Sequence, residues 1–490
     1  MSTPLHMPLL FSYINALMWA FVAAYAMLIT TLIVAVLSEN RNPLKALGWV
    51  MALLLFPVGG AVLYFVFGRS MRNVKMISRR NRRRLLNAES HRPMPKLSRQ
   101  LSPENRRRIM LGYSVAEAMV YSPNSVELIN DGSRMFEALF DDLRRARKYI
   151  NLQFYIIAND PLGRQLGDIL IERAKAGVKI RVIYDYVGSF GSHSQILFNR
   201  LRSHGIEVHS FFRIQFPEKL GRLNWRNHRK AVIIDGLIGY IGGINVAQRY
   251  VDGGSFGCWR DMAVRLTGPG VLALQHNFAI DWKFMGYDLI TDEPADSYPM
   301  ATRERTIDDV LVQIIASGPT NRWGNTHMLF IKAISGAKNR IYIQTPYFLP
   351  SEGLLTALQC AALSGVDVRV MLPRKSDSAV LTHASTSYVE ECLLAGMKIY
   401  FYNAGMLHGK VLLVDDDFVT LGSTNFDYRS FEHNFEENIV MYSPEVNAEI
   451  ARLFKKDQED CTLVKLSEWN RRQRALKAHE SLCRLLSPIL

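Results

Sequence analysis

Charge is missing from the first 38 residues, which hold no Asp, Glu, Lys or Arg. A cleaved secretory leader needs a basic start and a short apolar core. The run from Asn15 to Leu37 has no such start and is too long for one. A second uncharged run, Ala46 to Gly68, follows at once between Lys45 and Arg69. Each run reaches the roughly 20 apolar residues that cross a hydrocarbon core as a helix. Pro57 and Gly59-Gly60 would weaken a soluble helix but are frequent in membrane spans. The short connection "SENRNPLK" makes the two runs a hairpin. Acid is nearly missing from the next stretch: between Arg69 and Arg99 eleven Lys/Arg stand against one acid, Glu89. Cysteine is scarce as well. The five thiols are scattered and match neither a zinc site nor a disulfide framework. No Walker-type phosphate loop is present, so nothing points to nucleotide-driven chemistry.

What is present starts with positive charge. The 490 residues carry a formal net charge of +14, which implies a polyanionic partner, nucleic acid or an anionic membrane. Nucleic acid explains the charge but not the apolar hairpin. Positive charge beside a span marks its cytoplasmic side, so the chain beyond residue 69 is expected in the cytosol, next to anionic lipid.

The chain also repeats itself. "NHRKAVIIDG" (Asn227–Gly236) returns as "LHGKVLLVDD" (Leu407–Asp416). Aligned on the histidines, Gly242-Gly243-Ile244-Asn245 matches Gly422-Ser423-Thr424-Asn425. Upstream, "ARKYINLQFYI" matches "AKNRIYIQTPY", with Gln153 opposite Gln344, and "AGVKIRVIYD" matches "SGVDVRVMLP". Several landmarks in one order mean internal duplication. Each copy reads as strand, helix, strand, helix, strand, then a hairpin carrying the motif. The expected class is α/β: two similar lobes with central mixed sheets about a pseudo-twofold axis, preceded by a transmembrane hairpin. The expected boundaries are 1–68 hairpin, 69–109 basic linker, 110–295 first lobe, 296–465 second lobe and 466–490 C-terminal tail. The polar stretch Thr291–Arg305 joins the lobes. The tail reads equally well as an interfacial helix or as a helix packed on a lobe.

In a strand, residues two apart share a face, so His228 pairs with Lys230 and His408 with Lys410. Asp235 and Asp415 belong to the motif, but their opposite parity suggests a structural duty. Brought together, the copies supply two imidazoles, two ammonium groups, Asn245 and Asn425, and the small residues Gly243 and Ser423. Lys and amide donors suit phosphoryl oxygens, and two imidazoles can divide nucleophile from acid/base. A histidine nucleophile needs a partner on its other nitrogen; Asp261 and Glu436, each just before an apolar strand, are the candidates. Lys stands where a second zinc ligand would be needed, so no metal and no cofactor is expected. His193 and His383, in loops after lobe strands, are weaker substrate contacts.

A doubled HxKxxxxD followed by GG/GSxN and then an acid resembles the phospholipase D superfamily. With the N-terminal runs, "FGRS" and the ending "RLLSPIL", the chain resembles the two-span bacterial cardiolipin synthases. The resemblance implies a phosphatidyl-histidine intermediate, with His228 as nucleophile and His408 as acid/base. It implies a multi-pass enzyme of the bacterial inner membrane joining two phosphatidylglycerols into cardiolipin and glycerol. Its partners would be anionic phospholipids (phosphatidylglycerol, cardiolipin) and the bilayer, not nucleic acid; homo-oligomerisation stays open. Phosphatidylethanolamine as second donor, or hydrolysis by water, stays open too.

Overall fold

The computed structural model describes residues 7–38, 43–72, 74–88, 101–213, 224–295 and 305–487. Part of the inter-run connection, Glu89 to Arg99 of the basic stretch, most of the inter-lobe linker and the last three residues lie outside them. The chain forms two units, one over Met1–Ser70 and one over Met71–Arg213 and Trp225–Leu490.

In the first unit, helix Met7–Ser38 contains the segment Ser12–Ser38, long and apolar enough to cross a membrane. The second apolar run departs from the continuous span expected over Ala46–Gly68. It forms helix Pro43–Leu55, breaks at Phe56, and resumes as Pro57–Leu63 with a π-helical turn Tyr64–Gly68. A proline has no N–H to continue the ladder and disfavours helical geometry at the residue before it, and Phe56 takes φ −130°.

The second unit is layered. One sheet contains strands Tyr149–Phe154, Lys179–Asp185 and Glu207–Phe211 in parallel, then the antiparallel hairpin Ala231–Ile234/Ile238–Gly242 and Ala263–Thr267. The other repeats the plan with Arg340–Gln344, Asp367–Pro373 and Lys398–Tyr402, the hairpin Val411–Val414/Phe418–Gly422 and Asn434–Tyr442. The period-two side-chain alternation of a strand explains the layers. Ile150, Leu152 and Phe154 face an outer helical layer, as Ile341 and Ile343 do in the second copy. Tyr149 and Tyr342 face a central core shared by both lobes. That core also takes in helices Val271–Phe284 and Pro444–Glu459, so both sheets are covered on both faces.

The lobes exchange strand pairs. Arg226–Asn227 pairs in parallel with Asn434–Phe435 of the other lobe, and Gly405–Leu407 pairs in parallel with Cys258–Arg260. Val120–Tyr121 also joins the second sheet, and Thr306–Ile307 the first. The tail helix Arg474–Leu485 lies on helix Ala379–Thr386. His383 is therefore helical, not in a loop, and His193 is the exposed left-handed residue before helix Ser194–Ser203.

Candidate active site

The exchanged strand pairs deliver the histidines. Directly after its pairing strand, His228 N–H donates to Phe435 O at 2.9 Å; His408 N–H donates to Arg260 O at 2.7 Å. The next residue on each partner strand is the acid. Each imidazole therefore meets the carboxylate of the opposite lobe: His228 Nδ1 lies 3.0 Å from Glu436 Oε2, and His408 Nδ1 lies 2.7 Å from Asp261 Oδ2. All four side chains are buried.

The two halves form one electrostatic cluster. Burial pushes the His228 imidazole below its ordinary range, and the positive charges of Lys230 and Lys410 add to this against Glu436. Burial, then Lys410, pushes His408 down to about 4. Burial lowers both ammonium groups. Burial works to raise Asp261, but Lys410 and His408 outweigh it and hold the carboxyl low; His228 does the same for Glu436. Both imidazoles are thus pushed toward the neutral form, each beside a carboxylate held low, and an anion entering between them would favour protonating one of them.

The residue ranges 139–282 and 330–458 match the family profile described as "Cardiolipin synthase, PLD-like domain", and residues 26–69 match "Phospholipase_D-nuclease N-terminal". The "Cardiolipin synthase" of Halalkalibacterium halodurans is 36% identical over 96% of this chain and 94% of its own. The "Major cardiolipin synthase ClsA" of Bacillus subtilis is also 36% identical, over 94% and 96% of the two chains. The chain belongs to the cardiolipin synthase family of phospholipase D-like proteins. A solved phosphatidylserine synthase from Haemophilus influenzae Rd KW20 shares the fold, with a TM-score of 0.60 at 14% identity over 79% of this chain and 100% of that one.

Within this family member the two lysines differ. Lys230 Nζ donates to His228 O at 2.6 Å and sits 5.5 Å from the Tyr155 ring centroid. Lys410 Nζ reaches His408 O, lies 2.7 Å from His408 Nδ1 and 3.5 Å from Asp261. The motif aspartates lie apart from the histidines and lysines, in keeping with the structural duty expected of them. The motif strands run only through Ala231–Ile234 and Val411–Val414, and Asp235 and Asp415 begin the turns beyond, with φ 56° and 51°. Asp235 accepts the N–H groups of Arg147, Lys148 and Tyr149; Asp415 accepts those of Lys338, Asn339 and Arg340. They fix the start of the neighbouring strand.

Asn245 is engaged by protein at both ends, accepting from Ile156 N–H and donating to Tyr250 Oη at 2.9 Å. Asn425 has a buried Oδ1 with no hydrogen-bond partner among the described residues. The Ser423 hydroxyl accepts from Glu437 N–H at 2.9 Å, and its carbonyl lies 3.0 Å from His228 Nδ1. Gly243, its counterpart, is not a serine that lost a hydroxyl. A Cβ there would lie 2.6 Å from Asp261 Oδ2 and 2.7 Å from its Cγ. Gly243→Ser therefore displaces the carboxylate from His408, with an expected loss of turnover on the order of 10²-fold, measured against the stability of the same variant.

Arginine support escaped the repeat alignment. Arg229 Nε donates to Glu436 O at 3.1 Å and Nη1 to Asp281 at 2.6 Å, while Gln153 holds the other Asp281 oxygen at 2.7 Å. In the other half Arg260 Nη1 donates to Asp261 O at 3.1 Å, two further nitrogens grip Asp457 at 2.9 and 2.7 Å, and Gln344 joins Asp457 at 2.8 Å. Both clamps hold the backbone of the histidine's carboxylate partner. The signal was there in Gln153 and Gln344, buried polar residues at the same register of two equivalent strands. Aromatic walls were missed too: Tyr155 meets the His228 ring edge-on at 5.0 Å, and Trp259 lies 5.2 Å from His408.

Beside the first clamp, Glu437 is buried and accepts from Asn277 at 2.6 Å. Burial raises it to about 7, with Asp281 adding and Arg229 opposing. Its folded pKa exceeds the unfolded value near 4.5, so the carboxylate's destabilising cost grows as pH rises from about 4.5 through about 7. Glu437→Gln is expected to raise the melting temperature by on the order of a few degrees at pH 8 and by less at pH 5, read by thermal unfolding.

Proposed function

We propose that this protein is a membrane-anchored phosphatidyltransferase that makes cardiolipin and glycerol from two phosphatidylglycerols. His228 Nε2 attacks the phosphorus of the first lipid. The P–O bond to its glycerol headgroup breaks, and glycerol leaves with a proton from His408. The phosphatidyl group is then on His228. His408 next takes the proton of a headgroup hydroxyl on the second phosphatidylglycerol. That oxygen attacks phosphorus, the P–N bond breaks, and cardiolipin leaves with His228 restored. One phosphodiester replaces another, so no nucleotide is consumed. Lys230 and Lys410 offset the phosphate charge, and the carboxylates of Glu436 and Asp261 steady the imidazolium forms.

The surroundings of the two Nδ1 atoms carry the role assignment. Among the described residues His228 Nδ1 faces only acceptors, Glu436 Oε2 and Ser423 O, so it holds the proton and leaves the Nε2 lone pair free for attack. His408 Nδ1 lies between a carboxylate and an ammonium group, both at 2.7 Å, an environment suited to changing protonation state. Asp235 and Asp415 act as strand anchors, and Asn245 and Asn425 as supports of the site walls.

The N-terminal runs cross the bacterial inner membrane as a hairpin with the catalytic unit on the cytoplasmic side. Helix Ser12–Ser38 and the basic residues after Gly68 support this reading. Purified full-length protein reconstituted with phosphatidylglycerol alone should release glycerol and cardiolipin in equal amounts. Phosphatidic acid as the sole lipid product would instead make it a hydrolase.

A further inference from the structure

The tail helix Arg474–Leu485 is amphipathic in an inverted sense. Its inward side buries Cys483 in the apolar core of the lobe and is otherwise tied down by charge: Glu480 is buried, paired with Arg472 at 2.6 Å and hydrogen-bonded to Thr386 at 2.9 Å. Lys477–Glu390 and Arg484–Glu391 pairs, at 3.1 and 2.6 Å, fix the same side to the lobe. Its outward side is apolar. Leu482, Leu485 and Leu486 are 63%, 74% and 43% exposed, in line with exposed Ala475 and Ala478 on one helical stripe. The ion pairs join the helix to the lobe with that stripe facing outward.

We propose that this leucine stripe is an interfacial docking surface that lies in the headgroup region of an anionic bilayer. Exposed Arg471 and Arg474 at the helix start supply charge complementary to such a surface. A second copy of this chain is a poorer occupant, because every copy brings the same basic residues to the contact. A chain of neighbours links the helix to the His408 side of the site. It packs on helix Ala379–Thr386, which follows the loop carrying Asp377; Asp377 bonds the Tyr347 hydroxyl, and its charge reaches His408. Docking there holds the His408 side of the site at the membrane surface where two-chain lipids arrive. This rests on the reading of the enzyme as one that acts on bilayer phosphatidylglycerol.

The test uses full-length protein in nanodiscs containing phosphatidylglycerol, with a photoreactive benzophenone residue replacing Leu485. Leu363, 73% exposed at the end of helix Glu352–Leu363, is the control position. Lipid adducts at 485 should exceed those at 363 by about tenfold. Crosslinking at 485 to a second copy, to nothing, or to lipid no better than at 363 overturns the proposal. The combined variant Leu482→Ser, Leu485→Ser and Leu486→Ser should lose about tenfold in turnover of long-chain lipid in nanodiscs and keep turnover of monomeric short-chain phosphatidylglycerol. Equal loss on both substrates would mean that the stripe only supports the fold, and would also overturn it. Failure of the synthase reading shows separately, as no cardiolipin from the unaltered protein, whatever the crosslinks at 485.

Discussion

His228→Ala and His408→Ala should each lower cardiolipin formation by roughly four orders of magnitude, near the scale at which loss of a positioned acid/base group abolishes useful turnover. The two losses should differ in kind. Without His228 there is no acceptor nitrogen, and no phosphatidyl-enzyme forms on brief exposure to radiolabelled phosphatidylglycerol. Without His408 the Nε2 lone pair of His228 is still oriented by Glu436, so slow adduct formation persists while discharge to the second lipid stalls. Acid-quenched protein should then carry label on His228. Label on His408 in a His228→Ala background would reverse the assignment. Because burial first, and the nearby ammonium groups next, hold His228 below the ordinary imidazole range, it stays neutral under mild acid. The acid limb of kcat/KM should accordingly lie below pH 6.5, the ordinary imidazole value.

Glu436→Gln and Asp261→Asn carry the second large effect, a loss of about three to four orders of magnitude with the fold intact, the scale seen when a histidine loses the carboxylate that sets its tautomer. The effect crosses between lobes. In ¹⁵N-histidine spectra, Glu436→Gln should alter the tautomer signature of His228 and leave that of His408, and Asp261→Asn should do the opposite. Shifts within the same lobe would contradict the crossed pairing that places each imidazole on the other lobe's acid.

How far this arrangement was legible depends on the residue. The repeat exposed His228, Lys230, His408 and Lys410, because a duplicated motif keeps its spacing. It exposed Asp261 and Glu436 as imidazole partners but not the crossing, since both copies offer an acid at the same place and sequence distance is silent about which lobe receives it. The arginine clamps stayed hidden because they are not equivalent in the alignment: Arg229 lies between His and Lys, whereas Gly409 fills that place in the second copy and Arg260 does the work from the acid strand. Gly243 read only as a small residue matching Ser423; the Asp261 carboxylate packed against it is visible only in the folded chain. Parity along a continuing strand was the wrong reason to set Asp235 and Asp415 apart; they leave the strand altogether, in left-handed turns.

Composition and local pattern therefore determined the duplicated α/β plan, the apolar N-terminus with its basic sequel, and the chemical kit of two imidazoles and two ammonium groups. Those follow from side-chain periodicity and charge, which neighbours along the chain already express. Only the tertiary structure decided which carboxylate serves which imidazole and that the tail turns its leucines outward. Each of these depends on hydrogen bonds or steric contacts made once the backbone has closed, and the crossed pairs join groups about 150 to 210 residues apart.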